Sequence, residues 1–108
     1  MSYDLYLRID TGGEEPATVH SVGNYTSNVS GMWSQALGYP LADLDGRLAD
    51  AAIPDLRRAA WNMANNPDVY RAMEPGNGWG SYEGARDYLV SLLGACLEHP
   101  KTIIGVSR

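Results

Sequence analysis

The feature that most constrains the fold is an alternation of apolar and polar residues at positions 2–10. Apolar side chains stand at every second position: Tyr3, Leu5, Leu7 and Ile9. Successive side chains of a β-strand point to opposite faces, so this spacing predicts a strand with one buried face. A lone strand is not stable in water. The rest of the chain must therefore supply partner strands and a cover for that face.

Two further segments predict those partner strands. Residues 17–22 are rich in strand-favouring side chains, and the turn-type residues 11–16 connect them to the first strand as an antiparallel hairpin. Gly23 is expected to end the second strand. The β-branched run 102–106 predicts a last strand that lies beside the first hairpin, with the N- and C-terminal strands as neighbours.

Helical periodicity fills the region between the strands. A short helix is predicted from an apolar stripe at the spacing i, i+3, i+4, i+7, i+8, formed by Val29, Met32, Trp33, Ala36 and Leu37. Ser27 or Asn28 is its expected N-cap, and Gly38 is expected to end it. A further turn or two of helix is predicted at 68–73.

Two longer helices are predicted from the same spacing of apolar residues. Residues 47–65 are mostly helical, and Pro54 is expected either to start a new helix or to follow a short turn. Its predicted buried face is Ile53, Leu56, Ala60, Met63 and Ala64. A helix capped by Ser81 is predicted over 82–98. Its predicted buried face is Tyr82, Ala85, Leu89, Leu92, Leu93 and Cys96.

These elements predict one α+β domain that spans residues 1–108. The expected architecture is a small antiparallel sheet of about three strands, in the order β-β-α-α-α-β, packed on one face by helices.

Charge and composition restrict the possible partners. The net charge is -5, and no run of Lys or Arg is present, so binding to a nucleic-acid backbone is not expected. No membrane-length apolar run and no signal peptide are recognised, which predicts a cytoplasmic protein without membrane contact. Seven Tyr and three Trp against no Phe favour side chains that suit interfaces and ligand walls.

Familiar catalytic and metal-binding patterns are missing from the sequence. His20 and His99 are the only histidines, and neither lies near a nucleophile elbow. Cys96 falls on the apolar face of a helix, and one Cys with two His lacks zinc spacing. Asp43-x-Asp45-Gly46 matches only part of a calcium loop. No catalytic residue, metal or cofactor is predicted, which favours a protein that is not an enzyme.

A binding site is instead predicted from two polar and aromatic segments, 24–33 and 76–82, each of which opens a helix. If the segments converge, two helix N-termini beside aromatic rings could hold a ring and an anionic group, with charge supplied by Arg8, Arg71 or Arg86. The candidate ligand-binding residues are Asn24, Tyr25, Thr26, Asn28, Trp33, Asn77, Trp79, Ser81 and Tyr82. The alternative is purely structural: a capped helix, and a surface loop with Trp79 folded back on the core.

Several motifs resemble a group of small proteins from actinobacteria and their phages that have no assigned activity. The motifs are Asp10–Gly13, Asn24–Ser30 with Met32-Trp33, and Asn77–Gly80 with Tyr82-Glu83. The resemblance spans nearly the whole chain. It implies an accessory protein of a phage or prophage, of the anti-defence kind, that binds a host protein or sequesters a metabolite.

The sequence is compatible with three functions. The first is non-enzymatic binding of a small polar or nucleotide-like molecule. The second is a protein–protein interaction module, including a homo-oligomeric structural protein, with Trp61 and Trp79 as anchors. The third is a small hydrolase or transferase with His20 or His99 as the base.

Overall fold

The computed structural model describes residues 2–10, 13 and 17–108. In this part of the chain a three-stranded antiparallel sheet, in the order β2-β1-β3, packs against helices. The strands are β1 (Ser2–Ile9), β2 (Ala17–Thr26) and β3 (Ile103–Ser107), and the helices are α1 (Ser30–Leu37), α2 (Ala49–Asn65), α3 (Pro67–Arg71) and α4 (Tyr82–Glu98). The predicted α+β class is confirmed. None of the helices described is long and apolar enough to cross a membrane.

β1 is the central strand, and it has the buried face that the alternation predicts except at Ile9, which is exposed. Its alternate side chains Tyr3, Leu5 and Leu7 are buried against the helices, while Asp4 on the other face is exposed. The predicted neighbouring of the N- and C-terminal strands is confirmed, with β3 one residue later than predicted. The predicted turn at 11–16 lies, apart from Gly13, outside the described residues.

β2 is longer than predicted because Gly23 does not end it. The strand pairs with β1 from Ala17 as far as Thr26, with irregularities in register before Leu7 and after it. Gly23 pairs with Leu5 at the first of these irregularities and has a φ of 110°, a conformation that glycine adopts without strain. The ladder therefore continues past it. Asn24, Tyr25 and Thr26 consequently lie on a strand and not in a loop before a helix.

α1 has the predicted buried stripe but a different start. Its apolar side chains, led by Trp33, are all buried, and Gly38 ends the helix with a φ of 88°. One turn of 3₁₀ helix at Ser27–Val29 precedes α1, and the Thr26 hydroxyl accepts from the Asn28 backbone N–H at 3.3 Å. Neither predicted cap, Ser27 or Asn28, is used, because the strand runs further than the sequence pattern indicates: Thr26 caps the 3₁₀ turn, and the N-cap of α1 is Val29, which makes no side-chain capping bond.

α2 is continuous, so both predictions for Pro54 are wrong. Pro54 lies inside the helix, in its second turn. A proline costs a helix the hydrogen bond to the carbonyl four residues earlier, and here that carbonyl belongs to Asp50 in the first turn. The fully buried side chains of this helix are Ala49, Ala52, Leu56, Ala59 and Met63. The buried face is therefore rotated from the predicted one, and Ala64 is exposed.

α4 begins and ends at the predicted residues, and Ser81 is its N-cap. The Ser81 hydroxyl accepts from the Gly84 backbone N–H at 3.0 Å. Its face toward α2 and the sheet is buried, although Leu93 is only partly so. Cys96 lies in the core as predicted, where burial raises the pKa of its thiol to about 11.

A polar network on the outside of the helices joins α1 to α2. Tyr39 donates to the Asp55 carboxylate at 2.7 Å, and the Arg47 guanidinium contacts the same oxygen at 3.1 Å. Arg58 bridges the other Asp55 oxygen to the Leu37 carbonyl at the end of α1. The hydrogen bonds from Tyr39 and Arg47 hold the pKa of Asp55 below its ordinary value of 3.8.

We expect Asp55→Asn to lower the free energy of unfolding at pH 7 by about 1–3 kcal/mol, because charge-assisted hydrogen bonds are lost. A depressed carboxyl pKa contributes stability that is fully present above pH 3.8 and is lost as the pH falls through the folded-state value. The difference in the free energy of unfolding between parent and variant should therefore become smaller below pH 3.8. Urea denaturation at pH 7 and at pH 3 measures it.

Asp43→Asn is the matched control, since Asp43 is an exposed carboxylate in the neighbouring 3₁₀ turn. It should change stability by less than about 0.5 kcal/mol. An Asp55 variant with the same deficit at both pH values would contradict the charge-based explanation.

Candidate functional site

An open depression of about 670 Å³ lies where the end of β2 meets the turn before α4. It draws residues from both segments that the sequence singles out, so segments 24–33 and 76–82 do converge. The residues that line it are Ser2, Asn24, Tyr25, Thr26, Asn28, Trp79 and Gly80. All of them carry uncharged side chains or, at Gly80, none.

Glycine backbone allows the two segments to approach this closely. Gly80 has a φ of 101°, and a Cβ added there would lie 2.8 Å from the Thr26 methyl and from a Val29 methyl. Any other residue would push the turn away from β2. The Tyr25 hydroxyl also accepts from the Ser81 backbone N–H at 3.0 Å. The turn before α4 is therefore attached to the strand at two adjacent points.

Strand alternation places the polar lining side chains of β2 on the outer face of the sheet. Tyr25 points toward the helices, so its neighbours Asn24 and Thr26 point to the outer face of the sheet. The Asn24 side-chain amide donates to the Ser2 hydroxyl and to the Asp4 carboxylate, each at 2.8 Å. Two lining residues, Ser2 and Gly80, are not among the predicted site residues, and Ser2 also lies outside both predicted segments. Its position follows from the pairing of Ser2 with Thr26 in the β1–β2 register, which the sequence alone does not specify.

Trp79 stands at the edge of the depression with 69% of its surface exposed. It is not folded back onto the core. Its backbone N–H donates to the Asn77 side-chain oxygen at 2.9 Å, which closes a local turn. Gly78 next to it has a φ of 78°. The indole is thus an exposed ring on a backbone held by local hydrogen bonding.

Four of the predicted site residues serve the fold and are not among the residues that line the depression. Trp33 is fully buried, and its indole N–H donates to the Ala85 carbonyl at 3.1 Å. Tyr82 is buried, and its hydroxyl donates to the Met63 carbonyl at 2.5 Å. Ser81 caps α4, and Asn77 shapes the turn.

The N-terminus of α4 uses its own backbone donors internally. The Tyr82 N–H donates to the Glu74 carboxylate at 2.9 Å, the Ser81 N–H donates to Tyr25, and the Gly84 N–H donates to Ser81. A carboxylate at this position also complements the helix dipole. The chain therefore supplies its own anion where the sequence predicts room for an external one.

The arginines proposed to supply charge are engaged elsewhere or lie outside the lining. Arg71 pairs with Glu83 at 3.0 Å, and Arg86 pairs with Asp87 at 3.2 Å. Both guanidinium groups also lie over the Tyr82 ring, 5.3 and 5.4 Å from its centre. Arg8 does not line the depression.

The two histidines lie next to each other and do not line the depression. The rings of His20 and His99 are 5.5 Å apart between centroids, and Glu98 lies 4.0 Å from His99. Within the described ranges, no group of three or more His, Cys, Asp or Glu side chains is arranged to hold a metal ion.

Comparisons with protein-family models, with curated proteins and with solved structures found no match. The functional interpretation therefore rests on the geometry of the depression itself.

Tyr25 supports the site through its contact with α4, and Gly84 makes that contact possible. A Cβ at Gly84 would overlap the Tyr25 hydroxyl, whereas a Cβ at Gly94 in the same helix would meet no atom within 4 Å. The two helical glycines thus have different surroundings, although the sequence presents them alike.

We expect Gly84→Ala to destabilise the protein by about 1–3 kcal/mol, because the added methyl group displaces Tyr25. Gly94→Ala is the matched control and should stabilise by about 0.5–1 kcal/mol, since alanine is the better helix former. Chemical denaturation of both variants tests the pair. A Gly84 variant as stable as the Gly94 variant would contradict the packing of Tyr25 against α4.

Proposed function

We propose that the protein binds a small polar molecule with a flat ring, of the nucleoside type, in the depression between β2 and the turn before α4. The observation that carries the proposal is the exposed Trp79 indole held beside the uncharged groups of Asn24, Thr26 and Asn28. An exposed ring of this kind stacks on the face of another ring.

The polar groups around Trp79 supply both donors and acceptors. Ser2 and Thr26 contribute hydroxyl groups, and Asn28 contributes a side-chain amide. Both N–H donors of the Asn24 amide already bond Ser2 and Asp4, so Asn24 contributes its side-chain oxygen as an acceptor. Asn28 is exposed, so its amide is accessible to a ligand that stacks on Trp79. A ring with several hydrogen-bonding edges can use such a set.

Binding without chemical conversion fits the lining better than catalysis does. General acid–base catalysis needs a group whose pKa lies near the working pH. The described lining residues carry amides, hydroxyls and an indole, together with Tyr25. The Tyr25 hydroxyl already accepts the Ser81 N–H. We therefore favour a protein that holds its ligand, as an accessory protein that sequesters a metabolite would do.

A second candidate function has one observation in its favour, the exposure of Trp61. This side chain on α2 is 63% exposed and does not line the depression. Large exposed aromatic side chains often anchor protein–protein contacts. If the protein assembles through α2, Trp61→Ala will lower its mass in solution measured by light scattering.

The proposed function predicts that adenosine, guanosine, cytidine or uridine shifts the NMR signal of the Trp79 indole. The chain has three tryptophans, so each indole N–H reports on a different place. Trp33 is buried in the core and Trp61 lies on α2, and both signals should stay in position. Trp79→Ala should weaken binding at least about tenfold, since base–aromatic stacking contributes about 1–3 kcal/mol.

Trp61→Ala is the matched control, because it removes an equally exposed indole outside the depression. It should leave both the affinity and the shifts of residues 24–28 unchanged. Equal losses in the two variants would indicate nonspecific stacking on surface tryptophans and would count against the site.

A further inference from the structure

We infer that the depression discriminates against phosphorylated ligands and accepts uncharged nucleoside-type molecules. This inference rests on the proposed function and names the ligand class of the same site. It reverses the expectation that helix N-termini at this place hold an anion.

The first argument is that three backbone donors at the α4 N-terminus are already used within the chain. The α4 N-terminus offers backbone N–H groups from Ser81, Tyr82 and Gly84. They donate to the Tyr25 hydroxyl, the Glu74 carboxylate and the Ser81 hydroxyl at 2.9–3.0 Å. A phosphate could bind them only by displacing these internal partners. Displacing Glu74 would also leave a carboxylate facing the incoming anion.

The second argument is that no cation lines the depression as described. Its lining consists of hydroxyl, amide and aromatic side chains and the Gly80 backbone. Arg71 and Arg86, the arginines nearest in sequence to the turn, pair with Glu83 and Asp87. Recognition of phosphate in proteins commonly uses arginine, lysine or free backbone donors.

The third argument is the charge of Asp4. Its carboxylate accepts from the Asn24 amide at 2.8 Å, and Asn24 lines the depression. Asp4 and Asn24 are paired across β1 and β2, so they stand on the same face of the sheet. A negative charge therefore lies beside the site, in a chain whose net charge is -5. A ligand phosphate would be repelled by it.

The decisive experiment compares each nucleoside with its own 5′-monophosphate by NMR titration of the ¹⁵N-labelled protein at low ionic strength. The probes are adenosine, guanosine, cytidine and uridine with their monophosphates. We expect at least one nucleoside to shift the Trp79 indole and residues 24–28, with an affinity at least about tenfold above that of its monophosphate.

The outcomes separate the inference from the proposed function. A monophosphate that binds as tightly as its nucleoside, with the same residues shifted, would overturn the inference and leave the proposed function standing. No shift with any of the probes would reject both.

A variant that adds a positive charge to the lining tests the electrostatic cause. Asn28→Arg places a cation at an exposed lining position and should raise the affinity for the monophosphate about tenfold relative to the nucleoside. Gln35→Arg adds the same charge at an exposed position on α1 outside the lining and should change neither affinity. If Asn28→Arg folds as the parent does, by its amide spectrum, and leaves the preference unaltered, electrostatic discrimination is wrong.

Discussion

The packing of Trp33 is the interaction on which the rest of the structure depends. Its indole N–H donates to the Ala85 carbonyl, which joins α1 to α4 across more than fifty residues of sequence. Its ring meets those of Tyr3, Tyr25 and Tyr88 at centroid distances of 5.5–6.2 Å, in the range of favourable aromatic pairs. One side chain thus fixes the two helices against β1 and β2. Because an interior this densely packed resists displacement, the end of β2 has little freedom to move relative to α4.

The depression follows from this packing through Tyr25. The ring of Tyr25 lies against Trp33 and Tyr88 on the inner face of the sheet, and its hydroxyl holds the Ser81 N–H. Strand geometry then directs Asn24 and Thr26 outward on either side of it. The polar groups of the depression are therefore positioned by a largely buried aromatic cluster, although Asn24 and Asn28 are exposed themselves. Ligand sites positioned in this way need little reorganisation when the ligand binds.

Periodicity in the sequence was sufficient to predict the strands, the bounds of α4 and the buried stripe of α1. These features depend on spacing along one segment, which a single sequence displays. The extension of β2 beyond Gly23 could not be predicted, because a bulge is determined by pairing with β1. The continuity of α2 could not be predicted either, because a proline near the beginning of a helix is compatible both with a helix start and with the second turn of a longer helix. For the site, the convergence of the two segments was a correct hypothesis. The residues that line the depression were not all predicted, because the burial of Trp33 and the contribution of Ser2 depend on tertiary contacts.

The tyrosines show why composition alone misdirects a search for ligands. A chain with seven Tyr and no Phe invites the expectation of rings and hydroxyls around a ligand. In the structure the Tyr88 hydroxyl reaches the Tyr3 and Gly23 carbonyls, and burial raises its pKa to about 12. Tyr82 and Tyr25 likewise bond to backbone groups of distant segments. A phenylalanine would fill nearly the same volume but would lose these hydrogen bonds to the backbone. Glu74 likewise bonds to a backbone group, because its carboxylate accepts from the Tyr82 N–H at the α4 N-terminus. A helix N-terminus can bind an external anion only where its backbone N–H groups have no partner within the protein. Here the N–H groups of Ser81, Tyr82 and Gly84 donate to oxygen atoms of the chain itself.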